Sequence, residues 1–177
     1  MRKEQEKRPV KLTLEGISRI AKETALKDGY HVPMVLVEGS LRSLVNQIIP
    51  FPEDYEARLL RMVALGYEMA SRGNLGELRQ AFLVTEGWMS IAEGGQPFDG
   101  PPSEDPNRKE VLVIFARVVP DFQPKIVTWE MIRDEAGKLT ALRDFSSPEV
   151  ANPASPLMDA FVAGFQRGAK ITKRRLN

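Results

Sequence analysis

The sequence predicts an α+β fold in which helices pack on a largely antiparallel sheet. The main observation is the region from Val111 to Phe145, where three strand-like apolar runs follow one another with turns between them, as in an antiparallel meander. Two patterns of helical period precede this region and a third follows it. The resulting order, α-β-β-α-β-β-β-β-α, is typical of a single domain with a sheet covered by helices.

The first half of the chain contains two of the helices and two strands. After a charged lead over residues 1–11, Thr13 can cap a helix that closes at Asp28-Gly29. Strands are predicted over 32–38 and 44–49, and the longest helical pattern runs over 53–72. The apolar positions expected to face the core in that helix are Tyr55, Leu59, Met62, Val63, Gly66, Tyr67 and Ala70.

Two long strands, 81–91 and 110–119, are the centre of the second half. The strand over 110–119 is apolar on both faces, which predicts a central position beside 81–91 in a sheet covered on both sides. Strands over 125–133 and 139–145 complete the meander, and Ser155-Pro156 can start a last helix. We therefore predict a single α+β domain over 12–170, followed by a basic tail over 171–177.

One face of the 81–91 strand combines apolar residues with a carboxylate. Phe82, Val84, Glu86 and Trp88 share it at period two. Trp88 is expected to be more than half buried and to pack on a helix. Glu86 can lie at an edge, form an ion pair with an arginine, or be a functional acid with a raised pKa.

Two segments around this strand carry a resemblance to known proteins. TEGWMS (Thr85–Ser90), followed by PPSEDPNRKEVLVI (Pro101–Ile114), resembles a pattern in small bacterial and phage-associated proteins of no assigned function. GYHVPMVLVEG (Gly29–Gly39) extends the similarity. The resemblance implies a compact single domain, and it implies no activity or catalytic residues.

Composition excludes several classes of protein. The chain has 177 residues, 42% hydrophobic and 28% charged, with a net charge of +1, which argues against a dedicated nucleic-acid binder. No cysteine is present, so disulfide, thiolate and zinc–thiolate chemistry are excluded. The charged N-terminus does not read as a secretory signal, and no apolar run is long enough for a membrane span, so we expect a cytoplasmic protein.

Few catalytic constellations can be built from the remaining residues. No P-loop, GxGxxG, HExxH or GxSxG motif occurs, and His31 is the single histidine. A cationic His31 can meet the end of the first helix as a structural group, and a catalytic base is the alternative. Carboxylates are the other side chains that could support catalysis, and the candidate catalytic residues among them are Glu86 and Glu110. The candidate metal ligands are Glu38, Glu86 and Glu110, with Glu104 and Asp105 nearby, although no short spacing among them demands a metal and no cofactor is expected.

The loop between the two long strands is a candidate recognition surface. Ser103 and Asp105 favour turns, and Arg108 can clamp Glu104, Glu110 or Glu86. Its prolines stiffen the loop, which suits a rigid contact surface. The candidate binding residues are Trp88, Phe98, Glu104, Asp105 and Arg108.

These observations favour a non-enzymatic binding or assembly module that forms a homo-oligomer or recognises a protein partner. The motive for self-association is the last helix, where Gly164 and Gly168 form a small-residue stripe beside Phe161 and Phe165. Alternatively, these phenylalanines complete the core and the glycines let the helix approach the sheet. A carboxylate-dependent metal hydrolase acting on a phosphoester or similar bond is the second hypothesis. Nucleic-acid binding through the basic tail, residues 173–175, is the third.

Overall fold

The computed structural model of the protein describes residues 11–48, 50–90, 99–118, 123–145 and 155–176. These residues form helices and strands in the predicted order, with one additional short 3-10 helix at Pro102–Glu104. The elements are α1 (Leu14–Asp28), β1 (Met34–Gly39), β2 (Ser43–Gln47), α2 (Tyr55–Ser71), β3 (Leu78–Met89), β4 (Lys109–Val118), β5 (Gln123–Arg133), β6 (Leu139–Asp144) and α3 (Pro156–Leu176).

The described strands form one antiparallel sheet of six strands in the order β2-β1-β3-β4-β5-β6. The predicted meander is confirmed as β4-β5-β6. The two long strands are also neighbours at the centre, as predicted, with Val84 opposite Ile114. α1 packs over one side of β4 and α3 contacts part of the other, so both sides of β4 carry apolar residues.

The sheet divides the protein into three layers and two cores. On the face that we call the front, α1 buries Ile17, Ala21 and Ala25 against Phe82, Val84, Leu112 and Ile114. On the opposite, back face, α2 and α3 cover Val35, Val37, Ala81 and Leu83. Residues adjacent in a strand alternate between the two cores, because successive side chains point to opposite faces of a sheet.

The boundaries of α1 follow from its capping residues. The Thr13 hydroxyl accepts a hydrogen bond from the Gly16 amide at 3.1 Å, as expected of an N-cap. Gly29 closes the helix in the left-handed conformation, with φ of 81°, and its amide donates to the Ala25 carbonyl. The predicted start and end of this helix are both confirmed.

Helix α2 is rotated relative to the predicted inner face. Met62, Gly66 and Ala70 are buried as predicted, but Tyr55 is 51% exposed and Tyr67 is 38% exposed, whereas Leu65 and Met69 are buried. The reason is that α3 packs beside α2, so the stripe of α2 that becomes buried faces both the sheet and α3. Periodicity along one helix does not reveal where the second helix will lie.

The glycine stripe of α3 is used inside the monomer. A Cβ on Gly164 would lie 2.1 Å from the Val63 carbonyl oxygen of α2, and a Cβ on Gly168 would lie 2.6 Å from that of Tyr67. Phe161 and Phe165 are buried in the back-face core. The alternative that these phenylalanines complete the monomer core is therefore correct, and the glycines admit α2, not the sheet or a second copy. The helix also continues to Leu176, through most of the predicted basic tail.

None of the helices in the described parts of the chain has the length and apolar character needed to cross a membrane.

Candidate functional site

The three carboxylates considered as metal ligands all lie on the front face, but they do not share one cleft. Glu38 of β1 pairs in register with Gln80, six residues from Glu86 along β3. At a rise of about 3.4 Å per residue, the positions of Glu38 and Glu86 are about 20 Å apart. Among the described residues, no group of three or more His, Cys, Asp or Glu side chains could hold a metal ion.

Glu38 anchors the segment that precedes α1. Its Oε2 accepts hydrogen bonds from the Leu12 amide at 2.8 Å and from Nε2 of Gln80 at 2.7 Å. Nε2 of Gln80 also donates to the Leu12 carbonyl at 2.6 Å. These bonds satisfy a buried carboxylate with neutral donors, which assigns Glu38 a structural role.

Glu110 is held by Arg133 and not by Arg108. The Arg133 guanidinium donates from Nε and Nη2 to the two Glu110 oxygens, each at 2.7 Å, in a bidentate pair. Its Nη1 donates to the Gly29 carbonyl at 3.0 Å, at the end of α1. Arg133 thus joins β4, β5 and the carboxyl end of α1, and its positive charge lies where the helix dipole is negative.

Glu86 lies beside this pair, and its environment combines burial with a main-chain hydrogen bond. Its Oε1 accepts from the His31 amide at 2.5 Å. Burial raises the pKa of Glu86, the negative charge of Glu110 raises it further, and the His31 amide and Arg133 act in the opposite direction. Glu86 is therefore a central-strand acid with a raised pKa, as one hypothesis required. Its hydrogen-bond donor is a backbone amide, and its strand lies inside the sheet and not at an edge. An arginine is nevertheless near, because the charge of Arg133 lowers the pKa of Glu86.

His31 is buried and is not the expected cation at the end of α1. Its side chain is 4% exposed, and burial lowers the pKa of the imidazole, opposed by a hydrogen bond with the Val32 backbone. Among the described residues, the buried Nδ1 atom has no hydrogen-bond partner. A neutral ring that packs in the interior fits these facts, because an unpaired buried cation would be costly. The structural contribution of this position comes from its amide, which binds Glu86.

The predicted recognition residues separate into an exposed pair and a turn. Trp88 is 47% exposed, so it is just over half buried, as expected, but it is not a core residue. The Arg108 guanidinium lies 4.7 Å from the centroid of the Trp88 ring. Arg108, which was expected to clamp a glutamate, makes this cation–π contact instead. Asp105 is buried and accepts from the Asn107 amide at 2.7 Å, which confirms its role as a turn former. Glu104 is exposed in the 3-10 helix, and Phe98 lies outside the described residues.

A groove that the sequence patterns do not predict lies on the back face, and we call it the sheet groove. It has a volume of about 860 Å³ and runs along strands β3, β4 and β5 beside the start of α2. Its back-face floor consists of Thr85, Gly87, Val111, Val113, Phe115, Ile126 and Thr128, and its border includes Tyr55, Arg58, Trp88 and Phe145. The strand pattern predicts the floor residues, but only the positions of the described helices show that α2 and α3 pack over another part of the back face.

A second concave region lies on the outer side of α2 and α3, and we call it the outer helix surface. It has a volume of about 770 Å³ and is lined by Leu60, Val63, Ala64, Tyr67, Glu68, Arg167, Lys170 and Ile171. Leu60 is 71% exposed, and Tyr67 and Ile171 are each 38% exposed.

Comparisons of the chain with protein-family models, with curated proteins and with solved structures give no match. The resemblance to small bacterial and phage-associated proteins therefore stays a prediction.

Proposed function

We propose that the protein is a non-enzymatic binding and assembly module that works as a two-fold homodimer. The observation that carries this proposal is the outer helix surface, where Leu60, Tyr67 and Ile171 expose apolar area on two adjacent helices. Burial of such area on association is favourable at about 25 cal/mol per Å² before the costs of association. Tyrosine and arginine, which are enriched at interfaces, border the same surface.

The charges around the outer helix surface favour a second copy of the chain as its occupant. Glu68 contributes an acid, and Arg167 and Lys170 contribute bases. In a two-fold contact the same patch meets itself, so the acid of one protomer can face the bases of the other. A patch that carries both signs beside an apolar centre is suited to this arrangement, whereas a patch of one sign would repel its own copy.

The carboxylate arrangement gives no support to the hydrolase hypothesis. Glu38 binds a backbone amide and a glutamine, Glu86 binds a backbone amide, and Glu110 binds Arg133. Binding a divalent cation would require Glu110 to give up its bidentate partner and Glu38 to move about 20 Å, as judged from strand geometry. The contacts therefore favour the binding module.

Light scattering coupled to gel filtration tests the dimer directly. The chain is expected at twice its monomer mass of 19.9 kDa at high micromolar concentration and to dissociate on dilution. Leu60→Glu places a charge in the contact and is expected to give the monomer mass at all concentrations. Ile20→Glu is the matched control, because Ile20 is 56% exposed on α1, away from this surface, and should leave the dimer intact.

A charge exchange tests the two-fold geometry. Glu68→Lys and Lys170→Glu are each expected to weaken the dimer, and the double variant is expected to restore it, because the pairing charges are then exchanged between protomers. Circular dichroism melts should show that each variant remains folded. A parent chain with the monomer mass at every concentration would contradict the proposal, as would an Ile20→Glu variant that dissociates while Leu60→Glu does not.

A further inference from the structure

The sheet groove has the size and composition of a small-molecule site. Its volume of about 860 Å³ lies within the range of about 300–1,000 Å³ that is usual for ligand pockets. Val111, Val113 and Ile126 supply an apolar floor on the central strands, and Thr85 and Thr128 place hydroxyl-bearing residues among them. Rigid strands support this floor, so the groove is formed without a ligand.

Gly87 is the residue whose identity the fold does not explain. It lies in the central strand β3 on the back face, at a position where glycine weakens a strand. A Cβ on Gly87 would meet nothing within 4 Å, and its backbone does not have the positive φ that favours glycine. By contrast, a Cβ on Gly66 would lie 2.1 Å from the Phe161 carbonyl oxygen, so packing requires that glycine. The missing side chain of Gly87 leaves open space in the groove and satisfies no contact within the described chain.

The charges in the lining indicate the chemistry of the occupant. The described lining contains two cationic residues, Arg58 and Lys125, and a single acid, Glu86. The Glu86 carboxylate is already bonded to the His31 amide. Arg58 lies over the Phe51 ring at 5.0 Å and donates from Nε to the Pro52 carbonyl, contacts that orient the guanidinium without neutralising it. The geometry of such a planar, oriented cation matches that of a carboxylate, as it does that of a phosphate.

We propose that the sheet groove binds small amphipathic carboxylates. The apolar body of the ligand lies on the strand floor above Gly87, and its carboxylate pairs with Arg58 at the end of the groove nearest α2. The exposed rings of Tyr55 and Trp88 border the groove and can cover the apolar body. This site lies on the sheet and the dimer contact lies on the outer side of the helices, so the two proposals stand independently.

Isothermal titration with paired amphiphiles tests both the apolar and the anionic part of the proposal. Decanoate, below its micelle concentration, is expected to bind saturably with one site per chain. Decyltrimethylammonium has the same chain length and the opposite charge, and it is expected to bind about tenfold more weakly or worse, because it loses a charge-assisted pair. Arg58→Gln is expected to lower the affinity for decanoate by a similar factor and to leave that for decyltrimethylammonium unchanged.

Gly87→Val tests the location of the site. Valine fits a strand and fills the space above the floor, so the variant is expected to fold at least as stably as the parent and to lose decanoate binding. Ala141→Val is the control, because Ala141 is exposed on the edge strand β6 and does not line the groove. Equal binding of decanoate by Gly87→Val and the parent would overturn the proposal. So would the absence of saturable binding, or equal affinity for the two amphiphiles.

Discussion

Replacing Gly164 by alanine tests the reasoning about the α2–α3 contact most sharply, because two opposing effects can be estimated. Alanine is a better helix former than glycine by about 1 kcal/mol, so propensity alone predicts a more stable protein. In the structure, however, the added Cβ would lie 2.1 Å from the Val63 carbonyl oxygen. An ordinary carbon–oxygen contact is about 3.3 Å or more, so the helices would have to separate by about 1 Å.

The Val63 carbonyl oxygen belongs to the backbone and cannot rotate away from the added Cβ. The cost of separating α2 from α3 therefore exceeds the gain in helix propensity. A gap of about 1 Å forfeits a quarter to a half of the dispersion energy of the contacts that it opens. Phe161 and Phe165 of α3 lie in the core between these helices and the sheet. Overpacking typically costs about 1–3 kcal/mol, and the rigid obstacle places this case at the upper end. The net expectation is a loss of about 1–2 kcal/mol in the free energy of unfolding.

Urea denaturation followed by circular dichroism measures this change, at one fixed protein concentration because a dimer would make stability depend on concentration. Ala163→Gly is the matched control, since Ala163 is exposed on the same helix and should report propensity alone, a loss of about 1 kcal/mol. A Gly164→Ala variant that is more stable than the parent by about 1 kcal/mol would refute the steric argument.

The other predictions concern Glu86 and its neighbours and the two proposed surfaces. Burial raises the pKa of Glu86 above its ordinary value of 4.5. The protonated form therefore stabilises the folded state fully below pH 4.5, and this stabilisation is lost as the pH rises through the raised pKa. Glu86→Gln should therefore be more stable than the parent above pH 4.5, as measured by urea denaturation. A stability difference that does not change with pH would contradict this. The pH dependence of stability that His31 causes has the opposite sign, but it is present in both proteins and cancels in the difference. Glu110→Gln is expected to lower the pKa of Glu86, because the Glu110 charge raises it; carboxyl-carbon NMR titration measures this, and an unchanged or raised pKa would be the contrary result. Leu60→Glu should abolish dimerisation, and Gly87→Val should abolish decanoate binding while the protein stays dimeric. A negative result for one variant would therefore contradict only the dimer proposal or only the ligand proposal.

The central-strand cluster shows why a raised pKa in this protein does not by itself indicate catalysis. Glu86 has the shifted pKa expected of a functional acid, but its carboxylate holds the His31 amide and thereby fixes the connection from α1 to β1. Arg133 fixes the same end of α1 through the Gly29 carbonyl. Together these contacts attach the front-face helix to the sheet with charged groups, each of which has a specific partner.

Local sequence was sufficient to predict most of the secondary structure. The Thr13 cap and the Gly29 terminus follow from interactions within a few residues, so both ends of α1 could be predicted. The central position of β4 was also predictable, because a strand that is apolar on both sides is typical of the middle of a sheet. The short turn at Asp134–Gly137 fixes the pairing of β5 with β6 in the same local way.

What the tertiary structure decided is which partner each special residue meets. The spacing of Gly164 and Gly168 predicted a close approach, but only the fold shows that the approaching backbone is α2. The sequence predicted Arg108 as a partner of Glu110. The register of β4 with β5, which places Glu130 opposite Val111, instead brings Arg133 to Glu110, while Arg108 lies on Trp88. Likewise, the floor of the sheet groove consists of ordinary strand residues. Within the described part of the chain, α2 and α3 do not pack on it because they pack on each other over the other part of the back face. Caps, turns and alternation depend on neighbours in sequence, whereas ion-pair choice, helix–helix contact and uncovered surface depend on residues that only the complete fold brings together.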